Sequence, residues 1–427
     1  MRFSGPDTPG KTPRIGRPLG LVLGLALALA PTAEAQTASA TWTADDAARR
    51  ALAAFDSPAR VAARLRAARA EVALETLSPT PPLGVTHEHV PAPNAAGYLQ
   101  SSLSVRQTFD VTGWRQRRRA ALPHQEQALR AEGAQAQLQV ASETRIAFYD
   151  ARYRQERLWV FDAWLARLQA AVAVVDARHR RGDAARFDLR RVERERDVAR
   201  AQLAREEALL AQAWAQLLAL APAVSRPTLV GALAPTEAES SPELAAPLTA
   251  ASALPPRLAG LRHEAAALAT AVRAFGSPAL RGWAVEAGYR FAQVGQATAH
   301  GVVLSLSVPL GLWNTDRPVV ERLRAELARI DDQMRREQAQ ALRHREATRA
   351  RLEAALAALG QVPAAEADGE PARLGEIAYR GGEVSLLELL DAYRSDAELT
   401  LARLDLSWEA RRAALDLDLA CGEGVPR

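Results

Sequence analysis

A mainly α-helical fold with a small β part is what this sequence predicts. The composition comes first: 427 residues, 48% hydrophobic and 24% charged but only 5% aromatic, a balance that buries a core and favours long helices over a β-rich globule. Long stretches carry apolar residues spaced three and four apart, the seam of paired helices. The apolar period falls to two in only two short regions, which read as β-hairpins. Helices and hairpins occur twice in the same order, about 200 residues apart, so the chain reads as a duplicated half.

The N-terminus is an address rather than part of that fold. A basic leader from Arg2 to Pro18 precedes the apolar run Leu19–Ala30 and the A-x-A site Ala33-Glu34-Ala35, so residues 1–35 are expected to be a signal peptide. The apolar run spans only about 18 Å as a helix, too short to cross a bilayer. No later stretch reaches about 18 continuous apolar residues, so no transmembrane helix is expected after it.

The first repeat, 36–220, is expected to contain a helix, a β-hairpin over 82–111, a long helix over 114–181 and a returning helix over 184–220. In Leu99–Val111 the positions Leu99, Leu103, Val105, Phe109 and Val111 alternate with Gln100, Ser102, Ser104, Arg106, Thr108 and Asp110. The strand before it, 83–90, alternates more weakly. In the long helix Leu158, Phe161, Leu165, Leu168, Val172 and Val175 form the seam. The returning helix holds the register through Val192, Ala199, Leu203, Leu210, Ala213 and Leu217, although Arg196 and Glu206 interrupt it.

Residues 221–254, rich in Pro, Ser and Ala, form a linker with at most short elements. The second repeat, 255–422, then gives a helix, a hairpin over 279–312, a long helix over 316–380 and a helix over 383–420, leaving 423–427 as a tail. Trp283, Val285, Ala287, Tyr289 and Phe291 alternate with Gly282, Ala284, Glu286, Gly288 and Arg290. The segment Gly360–Glu370, followed by Pro371, should kink the second long helix. Gly182-Asp183 and Gly382-Glu383, preceded by Gly381, supply a left-handed stop and an acidic start for each returning helix.

Several function classes are excluded or weakened. The formal charge is +4, with acids interleaved among the arginines, which argues against a nucleic-acid surface. The single Cys421 rules out an internal disulfide framework. No catalytic constellation or cofactor motif is apparent, so neither an enzyme nor a cofactor is expected. His87-Glu88-His89 is the one metal-like cluster, since His87 and His89 share a strand face. With no further ligands in view, it reads as a polar strand end. Four strands are too few for a closed barrel, so a membrane role would require the chain to oligomerise.

Three blocks carry a resemblance: Val105-Arg106-Gln107-Thr108-Phe109 with Gly113, Ser307-Val308-Pro309-Leu310-Gly311-Leu312-Trp313-Asn314, and Tyr379–Ala392 with its Gly381-Gly382-Glu383 turn. They resemble the TolC-like outer-membrane efflux protein family, and more narrowly its cobalt–zinc–cadmium (heavy-metal) arm. Pro318, Gly369 and Pro371 depart from the family pattern.

The resemblance implies a homotrimer, each chain giving four strands to a twelve-stranded transmembrane β-barrel and long antiparallel coiled-coil helices to an α-barrel across the periplasm. It implies a passive outer-membrane exit duct working with a periplasmic adaptor and an inner-membrane pump of the RND type, exporting heavy-metal cations. Drug export and type I secretion are the alternatives within the family. A periplasmic adaptor and a coiled-coil scaffold are the rivals outside it. The tips at Gly182, Asp183, Gly381, Gly382 and Glu383 would dock the adaptor. Glu366, Asp368 and Glu370 would form an acidic ring in the pore if they face it.

Overall fold

The computed structural model describes residues 41–55, 57–91, 97–235, 255–275, 282–308, 317–363 and 370–422. The leader with its A-x-A site and most of the linker lie outside these residues. From the N-terminus, β1 (Thr41–Trp42) leads into α1 (Ala44–Ala54) and α2 (Ser57–Glu75). Strands β2 (Leu83–Val90) and β3 (Tyr98–Phe109) follow, then α3 (Trp114–Arg119), α4 (Leu122–Arg181) and α5 (Arg186–Leu220). The second half runs β4 (Thr228–Leu229), α6 (Pro256–Ala274), β5 (Trp283–Val294) and β6 (Ala297–Ser307), then α7 (Arg317–Gln361), α8 (Glu370–Gly381) and α9 (Leu386–Cys421).

Two helix boundaries differ from the sequence outline, and proline explains both. The helix outlined over 114–181 divides into α3 and α4, because Pro123 falls in the first turn of α4. There its missing N–H costs nothing, whereas inside a continuous helix its ring would clash with a carbonyl one turn back. The helix outlined over 316–380 is likewise two helices, and Pro371 is the second residue of α8. Helix α4, with 60 residues, extends about 90 Å.

The seams are buried as their spacing requires. Leu165, Leu168, Ala171 and Val175 of α4 meet Val192 and Ala199 of α5 and Leu386, Leu389, Leu390 and Tyr393 of α9 in one cluster, with Ala372 and Tyr379 of α8. The two helical hairpins, α4/α5 and α8/α9, therefore lie side by side at this end. Among the described residues one helical run, Trp114–Arg181, is long and apolar enough to cross a membrane by length and composition, contrary to the sequence outline. Its seam residues are packed on protein, and Arg167, among them in the C-terminal part of the run, pairs with Asp396 of α9, as befits an amphipathic packing helix.

A second cluster sits midway along the helices. Trp42 of β1, Ala47 and Ala51 of α1, Phe148 and Tyr149 of α4, and Trp214 and Leu217 of α5 pack with Leu229 and Leu233. Strands β1 and β4 pair in parallel through Trp42 and Leu229, and the Val230 amide donates to the Trp42 carbonyl. Thr43 and Asp46 close a capping box at the start of α1, and the hydrogen bonds from Thr43 hold the Asp46 carboxyl down at about 2. Buried Arg411 of α9 donates to the carbonyls of Ala232, Leu233 and Ala234 and lies 4.5 Å over the Tyr149 ring, tying the start of the linker to both halves.

Glu206, which interrupts the α5 seam in sequence, is buried at 5% exposure and paired. Arg157 of α4 donates to Glu206 Oε1 at 3.0 Å and to Asp405 Oδ1 of α9 at 2.6 Å. The Tyr153 hydroxyl also donates to Asp405, and burial together with that carboxylate pushes its pKa up to about 12. One ionic network thus ties α4, α5 and α9. Removing one partner strands a buried charge, so Glu206→Ala should cost about 3–5 kcal/mol in a detergent melt of the whole chain, while Glu206→Gln should cost clearly less. Equal melting of Glu206→Ala and wild type would remove the network from the account of stability.

Candidate functional site

The four long strands form one antiparallel sheet in the order β2-β3-β5-β6. Register assigns every side chain to a face. Leu83 opposes Val105, Val105 opposes Ala287, and Ala287 opposes Leu304, so these four share one face. Val85, Leu103, Tyr289 and Val302 form the next row on that face, and Val285 with Leu306 the row on the other side. All of these large apolar side chains are exposed, with Val302 and Leu304 at 78% and 76%. Trp283 and Phe109 close the band at the end nearest the helices.

Tyr289 and Phe291 stand six and eight residues beyond Trp283, about 20–27 Å along the strand. An apolar band of about 25 Å between aromatic rows is the pattern of a lipid-facing barrel wall. Past it, toward the hairpin turns, the same face becomes polar: His87, Ser101 and His300, then His89, Gln293 and Thr298.

The opposite face is small and polar. Gly84, Ser104 and Gly288 form one row across three strands. A Cβ on Gly288 would fall 2.7 Å from both the Leu103 carbonyl oxygen and Ser104 Cβ, and one on Gly84 would fall 3.1 Å from Ser104 Oγ. Such crowding closes these positions to any side chain, so this face carries glycine and short groups where the other carries the large apolar ones. The charges of this small, polar face, Glu88, Arg106, Glu286 and Arg290, are spread along it, with Arg106 directly opposite Glu286.

At the far end of the helices stand the two tips. Gly182 ends α4 at φ 86°, and its amide donates to the His179 carbonyl while that of Asp183 donates to Arg178. Gly382 repeats this at φ 81°, its amide donating to Tyr379 and that of Glu383 to Ala378. Each glycine takes the left-handed conformation that closes a helix with two reversed hydrogen bonds. Gly381 is the last residue of α8.

The acids play a different part from the one outlined in the sequence. Asp183 and Glu383 lie before the N-caps Ala185 and Ser385, so they complete the preceding helix instead of starting the next. The first-turn acids are Asp188 and Glu388, and Glu388 forms a capping box with Ser385 that holds its carboxyl below the usual range.

One contact between the tips had no individual signal in the sequence. Arg178 of the first tip donates to the carbonyls of Tyr379 at 2.9 Å and Arg380 at 3.2 Å, and stacks 4.5 Å over the Tyr379 ring. These carbonyls belong to the last turn of α8, where a helix leaves acceptors over; that of Tyr379 also takes the Gly382 amide. The basic last turn of α4, Arg178 to Arg181, was the only available hint.

The other candidates do not converge. His87 and His89 share the outer face as their spacing requires, and His87 Nδ1 lies 3.0 Å from Ser101 Oγ. Among the described residues no group of three or more His, Cys, Asp or Glu is placed to hold a metal ion. Glu366 and Asp368 lie outside the described residues, and Glu370 is the first residue of α8.

No family model and no curated protein matches the sequence. Solved structures do match. The outer-membrane channel OprN aligns with TM-score 0.65 at 18% identity, over 90% of this chain and 91% of that one. The outer-membrane protein VceC from Vibrio cholerae gives 0.65 at 17%, over 90% and 96%. The open-state MtrE outer-membrane channel of Neisseria gonorrhoeae gives 0.59 at 20%, over 90% and 89%. At these identities the likeness is one of fold. The chain has the TolC-like fold of these outer-membrane channels, sheet and helical hairpins alike.

Proposed function

We propose that this chain is the outer-membrane exit duct of a tripartite efflux system, closed as a homotrimer. One observation carries the reading: a four-stranded antiparallel sheet with one exposed apolar face, a glycine-lined face opposite it and two open edges, set on long paired helices. An open edge leaves unpaired amides and carbonyls that lipid cannot satisfy. Three copies placed edge to edge, β6 beside β2, give twelve strands and no edge. Trp159, Val198 and Leu399, exposed on the helices of a single chain, offer apolar surface for neighbouring copies to cover.

In this reading the duct is passive, driven by an inner-membrane pump of the RND type through a periplasmic adaptor that docks on the tips at Gly182-Asp183 and Gly381-Gly382-Glu383. The finer assignment, export of heavy-metal cations, rests on the sequence resemblance of the 379–392 block. An acidic ring from Glu366, Asp368 and Glu370 belongs to the same proposal. Opening separates the tips, so Arg178 acts as a latch between them.

Fractionation is the direct test: the exported protein should be a heat-modifiable trimer extracted from the outer membrane by detergent, and a soluble monomer would refute the duct. Gly288→Val, which forces a side chain into backbone, should abolish barrel assembly, whereas Gly301→Val, with open space around it, should assemble. At the tips, Gly182→Val with Gly382→Val imposes a left-handed strain of about 1–2 kcal/mol per residue. That double variant should abolish resistance to the exported cation while leaving trimer abundance unchanged. Arg178→Ala should raise channel conductance in planar bilayers, and an unaltered trace would dismiss the latch. Zinc, cobalt, copper and dye tolerance of a deletion strain decides the cargo.

A further inference from the structure

The foot of the sheet carries a concentration of arginine that the duct reading leaves unused. Asp110, just past the Phe109–Trp283 row, accepts the backbone amides of Thr112, Trp114 and Arg115 and so fixes α3 directly beneath the sheet. Helix α3 reads Trp-Arg-Gln-Arg-Arg-Arg, and Trp114 lies 6.2 Å from Phe275, just past the end of α6. Helix α6 packs on α3 and brings Arg273 to the same level.

Of these arginines only Arg118 has a carboxylate partner among the described residues, Glu75 at 2.7 Å. Arg115 donates to Ser78 Oγ, Arg117 to the Thr112 carbonyl, Arg119 to Thr76 Oγ1 and its carbonyl, and Arg273 to the Ala269 carbonyl and Thr270 Oγ1. Those partners are neutral. Five guanidinium charges therefore stand at one level against the carboxylates of Glu75 and Asp110, and Arg117, Arg119 and Arg273 are exposed.

The depth fits one ligand. The arginines begin within a few residues of the aromatic row that ends the apolar band, and α3 is about 9 Å long. The headgroup layer on each side of a bilayer is about 5–8 Å thick. Guanidinium groups at that depth match phosphate oxygens in charge and in fork geometry.

We infer that α3 and the end of α6 form a basic collar that binds the phosphates of anionic phospholipid headgroups in the periplasmic leaflet. This rests on the sheet being the membrane-spanning part. It adds a lipid preference and an anchor that fixes the depth at which the duct sits.

The test uses the full chain purified in non-ionic detergent, with brominated phosphatidylglycerol and brominated phosphatidylcholine as quenchers of tryptophan fluorescence. Wild type should prefer phosphatidylglycerol, with the preference shrinking as salt rises. Each arginine near an anionic surface is worth roughly fivefold in binding. The variant R117Q/R273Q, whose lost hydrogen bonds go only to its own helix or the adjoining turn, should thus lose about 25-fold of that preference while its detergent melt stays put. Equal quenching by the two lipids overturns the collar but leaves the spanning sheet intact. Quenching by neither lipid overturns both. A variant that loses its trimer regardless of lipid charge assigns these arginines to a neighbouring copy instead, and also overturns the collar.

Discussion

A sheet that is apolar on one exposed face, glycine-lined on the other and open at both edges cannot be satisfied by one chain in water. The exposed Leu83, Val85, Val302, Leu304 and Leu306 on edge strands β2 and β6 are surface that a soluble fold would bury. The rest of the architecture follows from supplying what the sheet lacks. In the proposed trimer the missing strands come from other copies, which meet the two open edges, β2 and β6, while both edges of β3 and β5 are already paired within the chain. The Gly84–Ser104–Gly288 row is closed to larger side chains, since any Cβ on Gly288 would meet backbone. The two faces are thereby told apart by sterics before any partner arrives.

The helices answer a different need. A hairpin about 90 Å long has little core per residue, so its register must be held by discrete ties as well as by the seam. The structure has ties at several levels: Arg411 on the 232–234 carbonyls, Arg157 between Glu206 and Asp405, Arg167 on Asp396 beside Arg394 on Glu195, and Arg178 on the last turn of α8. Each of these is an arginine reaching from one helix to another element. A guanidinium reaches far and donates in several directions at once, which suits joining three elements around one point. The small arginine excess of the composition is spent here and at the foot of the sheet.

Much of this was legible because the periods are local. The seam residues Leu165, Leu168, Val192 and Leu390 are buried as their spacing implied, and the alternation of 99–109 and 283–291 marked strands that do form. Strand β2 was faint because His87 and His89 occupy the apolar face where that face turns polar. Which face is closed to side chains could not be read from alternation, which is symmetric, and shows only in the close approach of Ser104 to Gly84 and Gly288. Glu206 read as an interruption because its partner Arg157 lies 49 residues earlier. The latch joins residues about 200 apart, and nothing local distinguished Arg178 from Arg180 or Arg181.

The duplication is most informative where it fails. At the 200-residue period Arg178 stands against Ala378, His179 against Tyr379 and Ala185 against Ser385. The second tip therefore has a capping box that the first lacks, and it receives a cation that it does not return. Two tips with identical glycine stops differ in how they are held: the second by its capping box and by Arg178, the first by His179, whose Nδ1 meets the Ala184 carbonyl across the turn. If the tips part when the duct opens, the Arg178 grip on the α8 terminus and the buried cluster that joins the two hairpins both resist. The polar share of that resistance comes from one side of the pair: Arg178 reaches the second tip, and Ala378 stands where an answering arginine would be. A contact that small is within reach of a docking partner to replace.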